Sequence, residues 1–453
     1  MTNRQLYLKK LDATIRLALT HKKVQHTDPI RWNVDVYPFH TVRLGFEFCC
    51  CCGVANTMTA LPTVAHAVSD YLFSTGTWIY SQLQNLRRYR SIVLTNRTEN
   101  LQAFPFEPIY SYEHVGRLQK ALLCLREGRT SRAVDPFFEG VLRREGACLI
   151  QAHFGFAGVA MLGVKARTRL PLITTFYGAD VSIRRWVQTY APLFDQGDLF
   201  LAEGSTMRER LLALGCPREK VVLQRLGIPL DKFPFKERTL DRSGCVRILI
   251  AATFRQKKGI PNALLAIERL RQRYPKLEVT LIGDSRGKLG DAEEKEKILA
   301  LLERLGDTVK WVGFQSYAEY RAALYDHHIF LSPSVTGDDG DSEGGAPVSL
   351  IEAQATGMPI VSTRHADIPE IVLDGKSGLL SPENDLDALT WNLERLVADP
   401  DSWRAMGCAG RAHVEESHSI QTQVAKLESI YGSVAGVAVP LGVPNMSSSN
   451  LLA

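Results

Sequence analysis

"VRILIAATFRQKKGIPNALLAIERLRQRYPKLEVTLIG", residues 246–283, decides the fold. Its first eight residues form a short apolar run rich in β-branched side chains, the pattern of a strand covered on both faces. "IPNALLAIERLRQRYP" has helical character, and "LEVTLIG" (277–283) is a second strand. A strand, a helix and a strand in this order make a βαβ unit with parallel strands.

The alternation continues in both directions. Downstream come "TVKWVGF" (308–314), "HIFLSPS" (328–334), "MPIVST" (358–363) and "SGLLSP" (377–382). Upstream, "PLDKFPFKERTLDRSG" (229–244) breaks the rhythm with prolines and charges, as an interdomain linker does. Before it lie "RSIVLTN" (90–96), "ACLIQAHF" (147–154), "PLITTFYG" (171–178), "LFLAEG" (199–204) and "VVLQRLGI" (221–228). Amphipathic segments such as "HVGRLQKALLCLREG" and "STMRERLLALG" separate them, the second with Ser205 as N-cap and Gly215 as its stop. The expected architecture is two doubly wound α/β domains, at 63–238 and 239–417, facing a ligand cleft. A C-terminal helix and a loose tail follow at 418–453. Residues 1–62 show no sustained period and are read as a poorly ordered extension, with Met58 as a natural start.

Bulk properties agree with this division. The chain has 453 residues, 45% hydrophobic and 23% charged, enough for two cores and ordinary for a globular protein. A net charge of +5 is too small for a dedicated nucleic-acid binder but suits anionic ligands. Of nine cysteines, four form the run Cys49–Cys52 and five are scattered without CxxC spacing. This points to reduced thiols in a cytoplasmic protein, with no zinc site. No apolar stretch reaches membrane-spanning length, and the first residues lack the apolar core of a signal peptide.

The chemistry concentrates in "DSEGGAPVSLIEA" (341–353). It follows the strand "HIFLSPS", whose carboxyl end is where open α/β sheets bind ligands. Pro347 suits a first helical turn and Gly357 closes the helix. Gly344 and Gly345 therefore precede a helix N-terminus, whose free N–H groups and positive dipole end attract anions. Glu352, one turn into the helix, can accept paired hydrogen bonds from ribose hydroxyls, and Glu343 points into the same cleft. The simpler alternatives are a solvated acidic loop and a calcium loop. The latter fails because Leu350 stands where the twelfth-position glutamate belongs.

"DGDSEGGAPVSLIEAQATGMPIVST" followed by "IPEIVLDGKSGLL" resembles the donor site of the family 4 glycosyltransferases, retaining enzymes of the GT-B fold, and especially bacterial members that build exopolysaccharides. The resemblance runs from about residue 64 to 432. It implies that Glu352 holds the ribose and Glu343 the transferred sugar, with the backbone of Gly344, Gly345, Ala346 and Pro347 at the sugar hydroxyls and diphosphate. It also implies a nucleotide diphosphate sugar as substrate, no cofactor and no essential metal. Lys258 matches the family's diphosphate lysine, while the arginine position holds Thr253, leaving Arg255 two residues later as substitute. "ITTFYGADVS" matches a strand-end motif at Gly178 and Asp180, with Tyr177 where the family has histidine. His153 ends another strand, where it faces the acceptor or is simply buried, and Gly76 in "FSTGTW" sits where a loop approaches the donor phosphates. A further departure lies between the two glutamates: eight residues intervene, where the family has seven.

The expected activity is retaining transfer of a sugar to a hydroxyl of a glycan or lipid-linked acceptor. From Arg87 to Arg144, eleven Lys/Arg stand against six Asp/Glu, which suits peripheral contact with an anionic membrane as well as a solvated helix face. The rival from another class is a GT-B-shaped subunit that binds a nucleotide sugar without transferring it. An epimerase on the same architecture is a third.

Overall fold

The computed structural model describes residues 61–436, apart from 74, 128–133, 288–290 and 346. The extension 1–60, with Met58 and the Cys49–Cys52 run, lies outside the described residues, as do Ala346 and the tail beyond 436.

Two parallel sheets form the frame. The first contains β1 (Thr63–Tyr71), β2 (Arg90–Thr98), β3 (Ile109–Ser111), β4 (Ala147–His153), β5 (Leu172–Thr175), β6 (Leu199–Ala202) and β7 (Val221–Leu223), in the order β3-β2-β1-β4-β5-β6-β7. The second contains β8 (Val246–Ala251), β9 (Leu277–Ile282), β10 (Val309–Gly313), β11 (Ile329–Ser332), β12 (Ile360–Thr363) and β13 (Gly378–Ser381), in the order β10-β9-β8-β11-β12-β13. In each, strand order reverses beside the first strand, between β1 and β4 and between β8 and β11. Such switch points are where doubly wound sheets bind ligands.

β8 shows why these strands read as unbroken apolar runs. Ile248 and Ile250 enter one core with the helices Ile260–Arg271, Asp291–Leu305 and Leu386–Ala398. Leu249 points the other way, into a core with Phe330, Leu350 and Ile351. Successive side chains alternate faces, and both faces are covered.

Two features differ from the sequence expectation. The helix Ser205–Ala213 has Gly204, not Ser205, at its N-cap, because the Ser205 hydroxyl is drawn to Glu370 of the second domain. The C-terminal helix Ile420–Ala435 is no appendage: Ile420, Val424, Leu427 and Tyr431 cover the first sheet at Val64, Leu149, Ile173 and Leu201. Their spacing of three or four residues places them on one helix face. In the linker, Arg238 is buried and donates to the carbonyls of Leu324, His327 and Thr356, tying the segment to the second domain.

Candidate active site

The loop after β11 runs past Ser334 to Glu343, makes the Gly344–Gly345 turn and enters the helix Val348–Ala355. Facing it is the short turn Gln256–Lys258 after β8, which ends at Gly259 in the left-handed region. The two loops exchange charges. Lys258 Nζ stands 2.7 Å from Glu343 Oε1 and 2.8 Å from Oε2. Arg255 pairs with Asp341. Lys257, hidden in the basic run "RQKK", is buried, donates to the Ser342 carbonyl at 2.8 Å and lies 3.4 Å from Asp341.

Glu343 is nearly inaccessible to water. Burial alone would push its pKa up, but Lys258 and Lys257 outweigh it, and the carboxyl is held at about 2. Ser334 Oγ donates to Oε1 at 2.9 Å, and the Glu343 N–H donates to His365 Nε2 at 3.1 Å. His365 is fixed in turn by Glu383 at 2.7 Å. From Asp341 to Glu343 the loop is thus an ion-paired wall of the cleft, while Asp338 and Asp339 before it are exposed to solvent. Among the described residues no group of three or more His, Cys, Asp or Glu side chains is placed to hold a metal ion.

Glu352 has the opposite electrostatics. The Tyr317 hydroxyl donates to its Oε1 at 2.7 Å, and Tyr320 and Arg321 stand near the carboxyl. Burial raises its pKa to about 7, with Tyr317 only partly opposing the shift.

The first domain contributes the ends of β4, β5 and β6, which carry His153, Tyr177 and Glu203. Of the two readings of His153, the structure shows the buried one. The side chain is wholly buried, with Nδ1 2.7 Å from the Tyr177 hydroxyl and Nε2 3.2 Å from His66 Nδ1. Burial lowers its pKa to about 3, so it is a neutral support that orients Tyr177. Tyr177 stacks parallel to that ring and touches Trp78 and Phe154; burial, then Glu203, raise its pKa. Phe154 has φ 79° and ψ 145°, a backbone strain of about 1–3 kcal/mol held at the strand end by its surroundings.

Asp180 is placed beneath the site rather than in it. Oδ1 accepts the N–H groups of Tyr177 at 3.0 Å and Gly178 at 2.8 Å, and Oδ2 accepts that of Gly155 at 2.9 Å. It shapes the turn that presents Tyr177. Asp180→Ala is expected to destabilise the fold by about 2–3 kcal/mol, because it orphans these donors; urea unfolding measures this. Gly76 likewise has a local reason: a Cβ there would lie 2.7 Å from the Leu72 side chain, within its own domain.

The glycine turn has its explanation across the cleft. A Cβ on Gly344 would overlap the Gly178 backbone, one on Gly178 the Glu343 carbonyl, and one on Gly345 the Glu203 carboxyl. These glycines admit the backbone and side chains of the other domain. Ser182 and Ser342 hydroxyls meet at 3.1 Å, and Arg286 reaches Thr75 at 3.1 Å from the far side. Lys257, Arg286, Tyr317 and Glu203 were not singled out from sequence. Arg286 and Glu203 carry the signal that finds them, since each lies just beyond a strand's carboxyl end.

Residues 232–413 match the family described as Glycosyl transferases group 1. The amylovoran biosynthesis glycosyltransferase AmsK of Erwinia amylovora is 37% identical over 292 residues, 62% of this chain and 70% of that protein. The putative colanic acid biosynthesis glycosyltransferase WcaL of Escherichia coli is 37% identical over 288 residues, 61% of this chain and 68% of that protein. Among solved structures, HepE of Anabaena in complex with UDP superposes with a TM-score of 0.65 at 15% identity, covering 82% of this chain and 100% of that one. Sucrose-phosphate synthase of Thermosynechococcus elongatus does so at 0.64 and 17% identity, covering 83% and 100%. With its two parallel-sheet domains meeting at Glu343, the chain is a glycosyltransferase of the GT-B fold and belongs to the group 1 glycosyl transferase family.

Proposed function

We propose that this enzyme transfers a sugar, with retention at the anomeric carbon, from a nucleotide diphosphate sugar to a hydroxyl of a growing exopolysaccharide unit. The observation that carries this is the Lys258–Glu343 pair, set across a cleft from Tyr177 and beside the N-terminus of the helix that holds Glu352. The names of AmsK and WcaL, both exopolysaccharide biosynthesis enzymes, support the product class. The UDP and UDP-glucose complexes of HepE support the donor class.

Glu352 accepts the ribose hydroxyls and Glu343 the hydroxyls of the transferred sugar. Lys258 moves from Glu343 to the diphosphate, where it and Arg255 stabilise the negative charge of the leaving group. The anomeric C–O bond breaks with its electron pair on the diphosphate. The acceptor oxygen bonds to the same face of the sugar, and its proton passes to the departing phosphate oxygen. Neither His153, held neutral by burial, nor Tyr177, whose pKa burial raises, serves as base. The cations do the work that a divalent ion does in other transferases, so no metal is required.

The test is nucleotide release from a panel of UDP and GDP sugars, with candidate glycan and lipid-linked acceptors, in the presence of EDTA. One donor should be turned over, and EDTA should change the rate by less than about twofold, since Lys258, Arg255 and the helix N-terminus supply the charge. Donor binding without release would make the chain a binding subunit.

The acceptor reading extends to a bilayer at the cytoplasmic face. Among the described residues no helix is long and apolar enough to cross a membrane. On the helix Arg117–Glu127, however, Leu118 is 82% and Leu122 62% exposed, one turn apart and beside Arg117 and Lys120. Apolar side chains flanked by cations suit an anionic surface. Leu118→Glu/Leu122→Glu should reduce binding to vesicles containing anionic lipid by about tenfold or more in co-sedimentation, since it removes apolar contacts and adds two repelled charges. Unchanged binding would remove the bilayer from this account.

A further inference from the structure

Between the end of the first sheet and the helix Ile368–Ile371 of the second domain lies a small cavity of about 10 Å³, room for about one water. Glu203, Asp367 and His418 line it, with Arg225 and Glu370. Arg225 and Glu370 are spent on each other at 2.8 Å, and the remaining Glu370 oxygen accepts the Ser205 N–H at 2.7 Å. Three acceptors are left. Glu203 Oε1, Asp367 Oδ2 and His418 Nε2 are buried with no hydrogen-bond partner. Burial keeps His418 neutral, and its Nδ1 donates to the Leu226 carbonyl at 2.9 Å, so Nε2 carries no proton.

Buried acceptors without donors are costly. One water has two hydrogens for three acceptors, and a proton on one carboxyl supplies the third. The neighbours decide which. Burial raises the pKa of Asp367 as well, but its Oδ1 accepts the Thr206 N–H at 2.7 Å, which opposes that shift and favours the ionised form. Among the described residues Glu203 receives no such donor, and it stands close to Asp180 and Asp367. Burial acts on it first and those two acids second, all in the direction of the neutral form.

The same carboxyl touches the donor site. Glu203 Oε2 occupies the space that a Cβ on Gly345 would need, and Gly204 leaves room for Asp367 in the same way. We propose that Glu203 is a positioning residue of the transfer reaction: it takes up a proton as the two domains meet and, in that neutral state, seats the Gly344–Gly345 turn of the donor site. When the domains part, water reaches the carboxyl and the proton returns to solvent. The groups facing it are Tyr177 at the end of β5, Asp180, the Asp367 and Glu370 carboxylates, Arg225 after β7 and His418. The one cation among them is already paired with Glu370. The role rests on the transfer chemistry proposed above; the proton itself does not.

Thermal unfolding of the full chain between pH 5 and pH 9, native against Glu203→Gln, tests the proton. A carboxyl protonated in the folded chain and ionised in the unfolded one contributes stability at low pH that is lost as pH rises toward its folded pKa. The native folded-to-unfolded ratio should therefore fall relative to Glu203→Gln by up to about tenfold per pH unit. Parallel curves would overturn the proposal. If Glu203→Gln does not fold, Asp367→Asn supplies the missing donor from the other side and is compared in its place.

The kcat/KM profile tests the positioning. The native enzyme should lose activity on the alkaline side, while Glu203→Gln keeps it and Glu203→Ala is impaired at every pH. Diverging stability curves with coincident native and Glu203→Gln rate profiles would overturn the positioning role. If the native enzyme turns over no donor, the transfer chemistry has failed, and the unfolding curves still decide the proton.

Discussion

Replacing Lys258 by alanine should slow sugar transfer by about two to three orders of magnitude in kcat, the loss seen when one preorganised charge-stabilising donor is removed from a reacting centre. The effect should fall on kcat more than on KM, because the diphosphate gains a further negative charge as the sugar–phosphate bond breaks. Arg255 does not make up this loss, since its charge already acts on the same diphosphate alongside Lys258 and only one of the two cations then remains.

The same substitution has a second readout. Glu343 is buried and is kept ionised at about 2 against its burial by Lys258 and Lys257. Its pairing contributes stability above the ordinary carboxylate pKa, lost only as pH falls through about 2. Lys258→Ala leaves that carboxylate with Lys257 at 3.9 Å as its nearest cation. A loss of about 3 kcal/mol in urea unfolding at pH 7 follows, since breaking a buried pair costs more than never building it. Adding Glu343→Gln to Lys258→Ala should recover part of this stability and none of the activity. A double variant no more stable than Lys258→Ala would mean that the unpaired Glu343 is not the source of the loss.

The strands were the most legible part of the structure, because a strand covered on both faces is a continuous apolar run bounded by polar ends. "LEVTLIG" and β9 nearly coincide, as do "ACLIQAHF" and β4. β3 was missed because Ile109–Ser111 is three residues long, and no period can be read from three residues. The helix Gly155–Thr168 went undescribed because Gly155, Gly158 and Gly163 dilute its apolar face. Those at 155 and 158 are there because a Cβ would collide with Tyr190 and Thr174.

The site divides along similar lines. Glu343, Lys258 and Glu352 could be read because each sits in a local pattern of strand end, glycine turn and helix start. The demands that act between distant segments could not. Asp180 matches a motif, yet its oxygens serve three backbone N–H groups. Gly345 looks like a ligand-facing glycine until Glu203 arrives from β6. The residue added between the two glutamates relative to the family spacing falls in this same turn, which both Gly178 and Glu203 press against.

Replacing Glu352 by glutamine should abolish most activity and yet stabilise the protein. Glutamine keeps an oxygen for the Tyr317 hydroxyl, so the apolar and hydrogen-bonding surroundings survive. The charge that attracts two ribose hydroxyls is lost, and hydrogen bonds to a charged partner are worth about 1.5–3 kcal/mol. Donor affinity should therefore fall by about 10- to 150-fold, measurable by calorimetry with UDP or GDP at pH 8. Stability moves the other way. The folded pKa of Glu352 is raised to about 7 by burial, so the chain must hold a buried, poorly compensated charge whenever pH exceeds that value. The group adds stability only at low pH, and that contribution drains away as pH rises from the ordinary carboxylate range through 7. Above pH 7 the accumulated cost reaches about 3 kcal/mol, and Glu352→Gln removes it. The variant should melt several degrees higher than the native enzyme at pH 8 and show little difference near pH 4.5. Equal melting temperatures at pH 8 would mean that Glu352 carries no such cost. With the predicted divergence, Glu352 is instead a group whose ionised form is unfavourable until the nucleotide supplies its hydrogen bonds, so that part of the stability given up by the free enzyme is recovered when the donor binds.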